Sequence, residues 1–269
     1  MILRRVIAHV KNQHWTAVFL DFVIVVAGVF IGIQVSNWND EREDRRTETE
    51  YLTQLQVDLH NIEREINAQI EFEQFQANLA TGLFDLIRDD VSKSRAQKIN
   101  MGLNQLTVRR TLRVQSPTFL DLQSSGNLKL ISDPALRTAI ISYFYRTTRL
   151  EAAIDKNNIF FVDQGFNEFI RSKNVTARAW DSGLMKQQLP SSVELSSAFT
   201  ESTKASRLYN ITAAFLDAAP EAMIWEEMIS QLTWRGTIAI NNEGIAVRLG
   251  DETKALSTKL AHRLEERTP

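Results

Sequence analysis

Nothing in this sequence constrains the fold more than the apolar run between Trp15 and Trp38, WTAVFLDFVIVVAGVFIGIQVSNW. From Ala17 to Val35 the only strongly polar side chains are Asp21 and Gln34. As a helix these 19 residues reach about 28 Å, close to the hydrocarbon thickness of a bilayer. Backbone in hydrocarbon must satisfy its own hydrogen bonds, which a helix does. Trp15 and Trp38 bracket the run, where interfacial aromatics belong. A buried core helix is the first alternative, but apolar runs this long are rare in soluble domains. A cleaved signal is the second. The run exceeds the usual h-region of about 7–15 residues. The residues Ser36-Asn37-Trp38-Asn39-Asp40 offer no small-x-small cleavage site. An uncleaved transmembrane anchor over 15–38 is expected.

The flanks suggest an orientation. Arg4, Arg5 and Lys11 precede the run with no acid among them. Arg42, Arg45 and Arg46 follow it among five acids, which count for little in the positive-inside rule. The slight bias favours a cytoplasmic N-terminus, which in a bacterial inner membrane makes the remaining mass periplasmic. Residues 1–14 read as an amphipathic juxtamembrane segment. Ile2, Leu3, Val6, Ile7 and Val10 share one helical face, and Arg4, Arg5 and Lys11 are candidate headgroup contacts.

Two features of the apolar run exceed anchoring. Gly28 and Gly32 form a GxxxG that Ser36 continues, and small residues four apart let two helices approach closely. These three residues are a candidate packing face toward a second copy or another membrane protein. Asp21 lies about one turn inside the run, where a carboxylate is expensive and turns to protein or water. It is a candidate proton- or ion-carrying group, placed like the Asp of single-pass subunits in ion-driven motors. The simpler alternative is a polar contact at the headgroup boundary, reached from a helix end.

Beyond the membrane, residues 39–269 are expected to form one helical domain, because the chain has only 10 Gly and 5 Pro in 269 residues. The charged stretch DEREDRRTETE at 40–50 carries no breaker and extends the same helix. Leu52, Leu55, Leu59, Ile62 and Ile66 then follow a 3,4,3,4 spacing over two heptads. That suits a short coiled coil or the first helix of a bundle, running irregularly through Ile70, Phe72, Phe75 and Leu79 to about Asp90. A second helix is predicted over 95–114 and a short one over 117–124, opened by Pro117. Gly126 suits a left-handed helix end. Asp133-Pro134 marks a helix start, and the pattern from there persists to about Ser172. Residues 173–192 read as loop, 193–217 as helical, and Pro220 opens a last long helix, with a short strand at Thr237–Ile240 as its alternative. The fold class is therefore all-α: a transmembrane helix continuing into an elongated bundle.

Chemistry is harder to find. There is no cysteine, and the four histidines are scattered. No metal, phosphate-loop, dinucleotide or nucleophile-elbow motif occurs, so neither a cofactor nor a catalytic residue is expected. A net charge of −2 gives no basic field for nucleic acid. Arg109, Arg110 and Arg113 cluster as a patch for headgroups or an acidic partner, or as a solvated helix face paired with acids. Tyr143, Phe144, Tyr145, Phe160, Phe161, Phe166 and Phe169 read as core.

The stretches Asp21-Phe22-Val23-Ile24-Val25-Val26, Gly28, Gly32-Ile33-Gln34 and Asn37-Trp38-Asn39 resemble the start of a family of bacterial single-pass membrane proteins without an assigned activity. Ser124-Ser125-Gly126-Asn127-Leu128, the Asp133 helix start and Tyr143-Phe144-Tyr145 resemble it too. Together the matches cover about a quarter of the chain. The resemblance implies an anchor and a helical extracytoplasmic domain, and no reaction. The leading expectation is a non-enzymatic membrane-anchored assembly, scaffold or sensory protein. It would have the lipid bilayer and a second copy or membrane protein as partners. An ion-motive-force coupling subunit using Asp21 is the alternative, and a membrane-tethered enzyme the third.

Overall fold

A computed structural model describes residues 15–90, 92–173, 175, 214–219 and 221–266. Every regular element among them is helical, so the fold is all-α. Helix α1 runs unbroken from Trp15 to Asp89, 75 residues. Its last exposed stretch ends at Arg46; from Phe22 to that point every side chain is exposed. From Glu48 onward one face is buried in the bundle.

The buried face is more regular than the apolar residues alone suggest. Glu48, Leu52, Leu55, Leu59, Ile62, Ile66, Gln69, Glu73, Gln76, Ala80, Leu83 and Ile87 alternate steps of four and three, and none is more than 4% exposed. Helix α6, Met223–Glu265, presents the matching stripe. Trp225, Met228, Leu232, Arg235, Ala239, Asn242, Ala246, Leu249, Thr253, Leu256 and Leu260 keep the same alternation and are all buried. The two helices lie antiparallel along that seam. Gln56 donates to Ser257 Oγ at 2.5 Å near one end, and Gln74 to Glu243 at 2.8 Å further along. Close approach is helped where Gly236 faces Ala80 and Gly250 faces Ile66.

The remaining elements wrap this pair. Helix α2, Arg95–Leu106, buries Ile99, Leu103 and Leu106 against α1. It stops eight residues short of the predicted 114. Residues 107–116 instead form an extended strap across the bundle. The reason is that tertiary partners take over its backbone groups. Arg235 donates to the carbonyls of Leu106 and Val108, Asn158 donates to that of Arg110, and Glu151 accepts from the Val114 N–H.

Helix α3, Pro117–Ser124, starts as the sequence predicts, with Ser116 Oγ accepting from Phe119 N at 3.0 Å. Gly126 follows at φ 74°, a left-handed conformation that suits glycine, and leads into a 3₁₀ turn at Asn127–Leu130. Helix α4, Pro134–Asn157, is capped by Asp133, whose Oδ1 accepts from Ala135 N and Leu136 N. It continues through a π-helical stretch, Asn158–Phe166, into α5, Asn167–Ser172. The π stretch leaves no trace in the sequence pattern. Around Thr237–Ile240 the chain is helical and the strand alternative is excluded. Most of 173–217 lies outside the described residues; Ala214–Asp217 is a single 3₁₀ turn.

Candidate functional site

The exposed arm of α1 is the first candidate. Phe19, Phe22, Ile24, Val25, Phe30, Ile31 and Trp38 are each at least 60% exposed, and no described side chain of the run is buried by the described residues. Among the described residues this is the one helix long and apolar enough to cross a membrane. Among the described residues nothing covers it as a core helix would be covered, and the two core clusters lie beyond it. Gly28 and Gly32 are in open space: a Cβ at either meets nothing within 4 Å. At 100° per residue, Gly28, Gly32 and Ser36 project to the side of α1 opposite Leu52, Leu55 and Leu59, so the bundle does not shade them. Asp21 sits on α1, six residues after its start. Arg4, Arg5 and Lys11 lie outside the described residues.

Residues 39–46 form a helical neck between the apolar arm and the bundle. Two ion pairs one turn apart line it, Arg45–Glu41 at 3.2 Å and Arg46–Glu50 at 3.1 Å. Both are exposed, so they add helix propensity more than tertiary stability. Glu48 is the first buried residue. Its carboxylate accepts from Ser132 N and Oγ, and Arg263 Nη2 donates to the same hydroxyl, so three segments close the near end of the bundle.

The second candidate is a polar cluster inside the α1–α6 seam, which sequence reasoning missed. Gln69, Glu73, Gln76, Asn158, Arg235 and Asn242 are all at most 2% exposed. Glu73 Oε1 accepts from Gln69 Nε2 at 2.8 Å and from Asn242 Nδ2 at 3.2 Å. Asn157 and Asn158 extend the network to the start of the π stretch through Asn242. Arg235 turns the other way. Its Nε donates to Leu106 O at 3.0 Å, and its Nη2 to Gln76 Oε1 at 3.0 Å and Val108 O at 3.2 Å.

Burial pushes the Glu73 carboxyl up to about 7, only partly offset by the Arg235 charge and its two hydrogen bonds. Burial likewise lowers Arg235 to about 10, so it stays charged at neutral pH. A signal for the cluster does exist. Gln69, Glu73 and Gln76 continue the spacing of Leu52 through Ile66 without a missed step. Polar residues on an apolar stripe are the ones to question first.

The sequence-singled arginines are not free. Arg109 pairs with Asp163 at 2.9 Å, Arg110 with Glu65 at 2.8 Å and Arg113 with Asp155 at 2.8 Å. They pin the strap to α1, α4 and the π stretch and do not lie on a helix. The aromatic group divides. Tyr143, Phe144 and Phe166 are core, whereas Tyr145, Phe160 and Phe161 are exposed, Phe161 stacking on Trp234 at 5.8 Å. A groove of about 540 Å³ lies between the strap, α3 and α4 over the Phe119–Phe144 stack. No Asp, Glu, His, Lys or Arg lines it; its polar lining is Gln115, Ser116, Gln123, Tyr145, Thr147 and Thr148.

Comparison with known protein families, with characterised proteins and with solved structures finds no match to this chain.

Proposed function

We propose that this chain is a non-enzymatic assembly or sensory protein of a bacterial inner membrane. It is anchored by α1 with its N-terminus in the cytoplasm, and it presents a helical domain in the periplasm. One observation carries the reading: a single helix supplies both the exposed apolar arm and the central stripe of the bundle. No hinge separates them, so a change of partner at the arm reaches the core as a rigid rotation or tilt. From Trp38 to Glu48 the neck holds the bundle about 15 Å above the headgroups. The Gly28, Gly32 and Ser36 face turns away from the bundle, which leaves it open to a second copy or a membrane partner. The resemblance to single-pass proteins of the same pattern agrees with this arrangement.

The natural absence of cysteine makes the test clean. Single cysteines placed at Asn37 through Arg46, one at a time, are oxidised in native membranes. Dimer yield should peak every three or four residues, on the face that continues Ser36. A chain that stays monomeric at every position and captures no membrane protein under a general crosslinker would overturn the proposal.

A further inference from the structure

We propose that the seam residues Glu73 and Arg235 form a proton-operated latch, in which neutral Glu73 leaves Arg235 holding the 107–116 strap and ionised Glu73 draws it away.

The geometry supplies two alternative sets of partners for one guanidinium. In the structure Arg235 spends Nε and Nη2 on the carbonyls of Leu106 and Val108 and on Gln76. Its Nη1 has no partner in the protein. One turn along α1 from Gln76, Glu73 uses only Oε1; its Oε2 is buried and also without a partner. The unused donor and the unused acceptor belong to opposite charges on facing helices. A neutral carboxyl exerts no pull across that gap. An ionised one does, in surroundings too dry to screen it. Turning the guanidinium toward Oε2 forms the ion pair and gives up the carbonyls of Leu106, at the end of α2, and Val108, in the strap.

The groups facing Glu73 are few. On its own helix they are the neutral amides of Gln69 and Gln76. From α6 come Asn242 and two charges, the attractive Arg235 and the repulsive Glu243. Glu243 is engaged by Gln74 at the seam's edge. The α4 end and the π stretch contribute only Asn157 and Asn158, also amides. Arg235 remains protonated throughout, so Glu73 is the group whose charge changes near neutrality. Arg235 is also the strap's sole tie to α6 among the hydrogen bonds at its start, the other ties running to α1, the π stretch and, from Asn167 to the Thr107 carbonyl, α5. Its departure releases the carbonyls of Leu106 and Val108, leaving Asn167 on Thr107 as the tie at the strap's start while the distal strap stays pinned.

The test is amide hydrogen exchange by mass spectrometry on the full chain in detergent micelles, at about pH 5.5 and about pH 8.5, corrected for the intrinsic rate. Protection of peptides covering 105–110 should fall roughly tenfold at the higher pH, with Leu52–Leu59 unchanged. In Glu73→Gln the strap should stay protected at both. Arg235→Lys, which cannot reach both carbonyls, should lose the protection at both. A wild-type strap equally protected at the two pH values, or a Glu73→Gln strap that loosens like wild type, would refute the latch.

Discussion

The buried carboxyl of Glu73 makes a quantitative demand on the pH dependence of stability. Its folded value of about 7 lies above the ordinary 4.5. The folded chain therefore holds this proton more tightly than the unfolded chain does. The stabilisation is fully present below about 4.5 and is lost as pH rises through about 7. A difference of about 2.5 units at roughly 1.4 kcal/mol each gives about 3 kcal/mol. No discount for solvent applies, because the residue is 1% exposed. In a domain of this size that corresponds to a melting-temperature difference of roughly 6–12 °C between acidic and alkaline conditions. Glu73→Gln keeps the shape and removes the titration. Thermal unfolding of wild type and variant, followed by circular dichroism in the same detergent at about pH 5 and pH 8.5, isolates the contribution as a difference of differences. Other groups cancel, including Glu151, which burial also raises. The variant should be the more stable protein at alkaline pH and should lose most of the pH slope. Parallel slopes in the two proteins would refute the reasoning.

Other perturbations test other parts. Gly126→Ala forces a side chain into φ 74° and should destabilise by about 1 kcal/mol, read in the same melt. Gly28→Leu with Gly32→Leu should weaken self-association several-fold in a membrane two-hybrid assay; an undiminished signal counts against that face. Asp21→Asn should leave expression and crosslinking unchanged if the residue is only an interfacial contact. Loss of an ion-dependent phenotype at equal expression would favour the coupling alternative instead. Gly102→Val should overpack the α1–α2 contact, since even a Cβ meets Leu83 Cδ2 at 2.5 Å, lowering stability by about 1–3 kcal/mol.

Much of the architecture is legible because it follows from short-range rules. The arm announces itself by length and apolarity, and the Asp133-Pro134 start and Gly126 end by backbone chemistry at single positions. What is not legible depends on distant partners. The 107–116 strap has the apolar spacing of a helix, yet Arg235, Asn158 and Glu151 satisfy its backbone from 37 to 129 residues away. The exposed Phe160 and Phe161 sit in the π stretch, whose wider turn displaces side chains from the 3.6-residue phase that assigns them to the core. The seam was half visible. Its apolar half reads as two heptads, whereas Gln69, Glu73 and Gln76 do not look like core residues in isolation.

Those same polar residues explain why the long antiparallel pair has one register. Two heptad stripes of Leu, Ile and Ala can slide past each other by seven residues with modest loss, since apolar contacts are interchangeable. Sliding α6 by one heptad moves it about 10 Å. In one direction Arg235 arrives opposite Leu83, away from Gln76 and its two carbonyls, and Glu73 faces Leu249 with only Gln69 left to it. In the other, Arg235 takes the place of Asn242 opposite Glu73 and nears Gln69, so the two charges meet, but it abandons the carbonyls of Leu106 and Val108, whose strap is tied to α1 through Arg110 and Glu65. The first slide strips a buried charge, which costs several kcal/mol and far exceeds one misplaced leucine contact, and the second gives up two backbone partners of the guanidinium. The cluster is thus poorly suited to maximal stability and well suited to specifying alignment, in the way a lone polar core position fixes register elsewhere. For a helix that continues into a membrane, alignment matters beyond the bundle: the register of α6 on α1 determines which face of the bundle stands above Gly28, Gly32 and Ser36.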